Sequence, residues 1–125
     1  MAYPDFSVFE YLYRDASNFK AHGSLLLRGS VDESVVTKLR GKFESGEYFI
    51  AEQIGTPTLY ESLWNQCQSQ PSEKLDHVWH EFSEIRAATR QELTTLDEWG
   101  SSDTLVNAIL NIKRWNLTLS RNWMF

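Results

Sequence analysis

Polar and apolar residues alternate along SVFEYLYRD (7–15), with Phe9, Tyr11 and Tyr13 on one side and Val8, Glu10, Leu12 and Arg14 on the other. A two-residue period predicts a strand over 8–14 with one well-buried aromatic face. After a turn at ASN, the stretch FKAHGSLLLRG reads as the return strand of a hairpin, 19–28. Gly23 inside it predicts a bulge or a close backbone approach. The period then lengthens. Val31, Val35, Val36, Leu39 and Phe43 keep the three-four spacing of an amphipathic helix over 32–45, with Ser30 or Asp32 as its cap and Gly46 at its end. EYFIAEQI predicts a short strand over 47–53. Thr56 as N-cap and Pro57 at the first helical position predict a helix over 57–66, with Leu59, Leu63 and Trp64 on its apolar stripe.

The stretch DHVWHEF (76–82) holds the densest chemistry and the least certain period. Leu75, Val78, Trp79, Phe82 and Ile85 fit a helix, which would put His77 and His80 on one face, where a metal could bind. Val, Trp, Phe and Ile also favour a strand, which would send the two histidines to opposite faces. The run Thr89-Arg90-Gln91-Glu92 is a capping box, so a new helix starts there and a non-helical element precedes it. That argument favours a strand over 77–86 with one histidine per face. A helix over 90–98, closed by Gly100, and another over 103–115 complete the pattern. The last ten residues, NLTLSRNWMF, alternate weakly.

Composition narrows the function classes. A chain of 125 residues fits one domain and buries enough surface to fold without a disulfide or structural metal. One cysteine, Cys67, permits no internal disulfide and suits a reducing cytoplasm. The N-terminal residues lack the basic and apolar regions of a secretory leader, and no apolar run is long enough to span a membrane. Net charge is −5, with the acidity concentrated in 31–100 and a small positive excess after 101. Lys113, Arg114 and Arg121 make too small a basic footprint for nucleic acid. The six glycines form no phosphate-cradling loop, and Cys67 has no nucleophile signature around it.

The segments YLYRDASNFKAHGSLLL, GEYFIAEQIGTPTLYESLW and DHVWHEFSEIRAAT give the chain a likeness to known sequences. Over about residues 8 to 92 it resembles a group of small, acidic bacterial proteins found among mobile elements, including integron gene cassettes. The resemblance implies an α+β fold and a bacterial cytoplasmic setting, and it lends no catalytic residue.

These readings give a single α+β domain: a mainly antiparallel sheet of about four strands with helices packed on one face. Two functions compete. The first is a non-enzymatic interaction module, a homodimer or the partner of another protein, with Trp115, Trp123, Met124 and Phe125 at its interface. Aromatic residues and Met are what interface cores favour. The basic tail that carries them would dock on an acidic surface, in its own chain or in a partner. The second is a small-molecule binding protein or small enzyme with a pocket near Tyr60, Trp64, Trp79 and His80. No cofactor, metal, nucleic acid or membrane enters either reading.

Overall fold

The alternation over the first strand is realised as β1 (Phe6–Arg14), which pairs in regular antiparallel register with β2 (Lys20–Arg28), Phe9 opposite Leu25 and Tyr13 opposite Ala21. The structure, a computed structural model, describes residues 5–72 and 74–123. The chain continues through α1 (Glu33–Lys42), β3 (Tyr48–Phe49), α2 (Ala51–Ile54), α3 (Tyr60–Cys67), β4 (His80–Ala87), α4 (Arg90–Thr95), β5 (Glu98–Ser101) and α5 (Ser102–Leu110), then a 3-10 turn at Leu117–Leu119. All five strands form one sheet of order β3-β4-β1-β2-β5, antiparallel except where β5 joins β2 in parallel. The chain is therefore a single α+β domain, with one strand more than the pattern suggested.

The core lies on one side of this sheet. Phe9, Tyr11, Tyr13, Leu25, Leu27 and Phe82 from the strands pack against Leu39 of α1, Ile54 of α2, Leu63 of α3, and Leu105 and Ile109 of α5. Phe9, Tyr11, Phe43, Phe49 and Phe82 form a continuous run of tilted and edge-on rings, 5.1 to 5.9 Å between centroids. Such offsets are the favoured geometry for aromatic quadrupoles. On the opposite face, Val8 and Leu26 are also buried. There Arg86 bonds both Glu10 and Glu92, and Glu92 belongs to α4, which buries no residue of its own. Arg14 and Glu81 pair across β1 and β4 on the same face.

Several predicted boundaries move. The strand expected over 47–53 is cut to Tyr48–Phe49, and the chain turns into α2, where Ala51 and Ile54 both face the core. The helix expected over 57–66 starts at Tyr60, with Leu59 at its cap position. Thr56 instead closes α2 by donating from N–H and hydroxyl to Ala51 O, and Pro57 O accepts the Tyr11 hydroxyl. Asp32 caps α1 as expected, but the helix ends at Lys42 rather than near Gly46. The Thr89–Glu92 capping box is formed in full, yet its helix stops at Thr95, and Gly100 lies in β5 rather than closing the helix. The last helix spans Ser102–Leu110, capped by Ser101, rather than reaching residue 115. Gly23 marks a close approach: a Cβ there would lie 2.9 Å from the Tyr11 ring and 3.1 Å from Leu59.

Candidate functional site

The residues around DHVWHEF form a buried polar cluster inside the aromatic core. β4 begins at His80, so His77 lies in the preceding loop, outside the strand alternation expected to separate the two rings. Both pack on Tyr13, with ring centroids 5.2 Å away for His77 and 5.4 Å for His80. The expectation of one histidine per face fails because a two-residue period holds only within a strand.

Each histidine has its tautomer fixed by backbone. Trp79 N–H donates to His77 Nδ1 at 3.0 Å, so the proton sits on Nε2, which donates to Arg14 O at 2.6 Å. Leu59 N–H donates to His80 Nε2 at 3.0 Å, which puts the His80 proton on Nδ1, where it meets no acceptor. His80 is fully buried, and this burial, reinforced by His77 nearby, lowers its pKa to about 3. Among the described residues, no three His, Cys, Asp or Glu side chains gather in a metal-binding group.

Asp76 organises the next shell. Its carboxylate accepts from the Tyr13 hydroxyl at 2.6 Å, from Trp64 Nε1 at 3.1 Å and from Ser72 N–H at 2.8 Å. Burial, then the bond to Asp76, pushes the Tyr13 phenol far above its ordinary range, and burial does the same to Tyr60. Tyr60 donates to Val78 O at 3.1 Å and meets Ser120 Oγ at 2.9 Å. Tyr60, Trp64 and His80 are thus brought together as packed core residues, closed off from solvent. Trp79 is half-buried and lines two surface grooves. One, of about 330 Å³, includes His77 and Tyr48; the other, of about 490 Å³, includes Lys113 and Trp115.

The C-terminal segment docks on its own domain. Trp115 Nε1 donates to Lys42 O, Gln53 bonds Arg114 O and Asn116 N–H, and Asn122 Nδ2 donates to His77 O. Arg121 meets the acidic surface expected for the tail, in its own chain. Its N–H bonds Glu52, its guanidinium pairs with Glu61 at 3.1 Å, and the same group lies 5.2 Å over the Trp64 ring. Trp115 is half-buried and Trp123 exposed, and both line a wide groove of about 770 Å³ beside Leu117 and Leu119. Met124 and Phe125 lie outside the described residues.

One surface feature had no local signal. β3 covers β4 only at His80 and Glu81, while β1 pairs along the other side of β4 to Ala87. Ala88 N–H donates to Phe6 O, so by strand alternation Glu84 and Arg86 also bond β1. The N–H and C=O groups of Ile85 and Ala87 therefore point outward, and their N–H groups have no backbone partner among the described residues. An irregularity at Ser83 resets the register there. A groove of about 370 Å³ runs beside this edge, lined by Glu33, Val36, Thr37 and Arg40 of α1 and by Glu84 and Ile85. Residue pattern alone could not show this edge, because it exists only where a two-residue strand meets an eight-residue one.

No protein family, curated protein or solved structure matches the chain.

Proposed function

We propose that the protein is a non-enzymatic protein-interaction module that captures an extended chain segment along the open edge of β4. The edge from Ser83 to Ala87 pairs with no strand among the described residues, and its Ser83 and Ala87 carbonyls meet only the side chains of Arg40 and Arg86. With the α1 groove beside it, this edge is the observation that carries the reading. An exposed edge supplies main-chain hydrogen bonds for affinity, and a groove beside it supplies side-chain specificity; this is strand addition. The titratable groups of the interior support a binding role over an enzymatic one. His80, Asp76 and Tyr13 are buried and hold the fold together by bonding backbone and one another. Cys67, a free exposed thiol, supports a reducing, cytoplasmic setting.

Selection of random displayed peptides on the purified protein tests the proposal. Ala87 is exposed with an outward N–H, so Ala87→Pro removes one docking donor from an edge position where proline is tolerated. Selected peptides should bind the parent protein and lose about tenfold or more in affinity for Ala87→Pro. Peptides that bind both forms equally would overturn the assignment of the edge.

A further inference from the structure

We infer that the segment this edge takes is the same edge of a second copy, paired antiparallel about a twofold axis through Ile85. The inference rests on the strand-addition reading above and names its partner. Its support is that both elements lining the groove are self-complementary when reversed.

On β4, Glu84 and Arg86 flank Ile85 and project from the far face of the sheet, while Ile85 packs toward the core. Reversing the strand about Ile85 sets Glu84 of each copy opposite Arg86 of the other. Ile85 presents both N–H and C=O outward, so its pair across the axis exchanges two hydrogen bonds. Ala87 N–H then faces the carbonyl of Ser83 of the partner subunit, replacing the long 3.5 Å contact that Arg40 makes to Ser83 O within each chain and freeing that guanidinium. That gives about four backbone bonds in a ladder, the pattern an antiparallel pair requires. In this register Glu84 and Arg86 occupy the closer, non-hydrogen-bonded pair, where opposite charges attract and like charges repel. Glu84 is exposed, and its approach to Arg86 within the chain is only 4.0 Å.

On α1, Glu33 and Arg40 line the same groove, one at each end, with Val36 and Thr37 between them. Seven residues of helix separate these charges by about 10 Å. The twofold that reverses β4 also reverses α1, so Glu33 of one copy meets Arg40 of the other, and Val36 approaches its equivalent near the axis. Arg40 already reaches toward the edge, with its guanidinium 4.8 Å over Phe82. Strand edges that must stay single are blunted by charges such as Lys, by proline or by bulges. The irregularity at Ser83 lies at the end of this edge, outside the pairing of Glu84 with Arg86. This one carries opposite charges on either side of a half-buried Ile, an arrangement that becomes its own charge complement when reversed. A closed twofold contact also accounts for the β4 edges of both copies at once.

Sedimentation of the purified chain across micromolar concentrations tests the pairing. The parent protein should dimerise, and Ala87→Pro should be monomeric. Glu33→Arg and Arg40→Glu, both at exposed positions, should each weaken dimerisation about tenfold by setting like charges opposite each other. Mixed in equal amounts, these two variants should recover dimers at close to the parent affinity, because each then meets its complement. A parent protein that stays monomeric, while selected peptides still bind in a manner sensitive to Ala87→Pro, would overturn self-pairing and leave strand addition standing. Dimers that persist in Ala87→Pro, or that are indifferent to the charge exchange on α1, would place the contact elsewhere and also overturn the inference. Circular dichroism of each variant confirms that the mass change reads association rather than unfolding.

Discussion

His80 carries a proton on the nitrogen that faces no acceptor, because Leu59 N–H already claims the other. Charging the ring would put a second proton where that amide donates, inside an apolar core. The folded state therefore holds His80 neutral down to about pH 3, whereas the unfolded chain protonates it near the ordinary value of 6.5. Because the folded pKa is depressed, the unfolded chain binds the extra proton between those limits. Stability from His80 is full above pH 6.5 and is lost as pH falls toward 3, with a slope of about 1.4 kcal/mol per pH unit for one proton. His80→Gln keeps an acceptor within reach of Leu59 N–H and does not titrate. Urea unfolding at several values between pH 6 and 4 should show a shallower loss of stability for this variant. Equal slopes in the two proteins would mean that His80 does not control this window.

At the scale of elements, the hairpin was legible because each strand has one buried face and writes that face into alternate positions. The same clarity explains Gly23. Tyr11 sits opposite Gly23, and its hydroxyl is fixed to Pro57 O, so the ring cannot move aside for a methyl group. Gly23→Ala should cost about 1–3 kcal/mol in chemical denaturation, the usual range for overpacking. A smaller loss would show that the ring and Leu59 give way. The elements that sequence reading missed are those whose cause is remote. β5 is a strand because β2 offers it a parallel edge, so Trp99 and Gly100 carry no local mark of it. Ile50, Ala51 and Ile54 are all buried, and so short an apolar run cannot tell a strand from a helical turn. The candidate site divides in the same way. The gathering of Tyr60, Trp64 and His80 was visible as an aromatic surplus, but their closure from solvent depends on Ser120, Asn122 and Arg121, some sixty residues further along. The charges on the β4 edge are each visible in the sequence, but nothing near them says which strand ends early.

For the molecule as a whole, the tail is part of the structure. Ser120 meets Tyr60, Asn122 holds the loop at His77, and Arg121 covers Trp64 and pairs with Glu61. Removing residues 116–125 exposes the rim of the aromatic core and should lower the melting temperature by about 10 °C, the effect of losing 2 to 3 kcal/mol in a domain of this size. The same truncated protein separates two surfaces by its mass in solution. If the β4 edge joins the copies, the dimer persists without the tail. Loss of the dimer in a folded truncated protein would assign the interface to the deleted tail that carries Trp123 instead. No helix among the described residues is long and apolar enough to cross a membrane.

The strand order has a consequence for how the chain is made. β1 is first in sequence and central in the sheet, and the residues that cover its outer side begin only at His80. At about 5–20 residues per second, a ribosome needs roughly 3 to 13 seconds to add the stretch from the end of β1 to the start of β4. For that interval the nascent hairpin presents Phe9, Tyr11 and Tyr13 beside an unpaired edge, which are the features that chaperones bind and that seed misassembly. Slower translation through residues 15–80 should therefore lower the soluble yield, while faster completion of β4 should raise it.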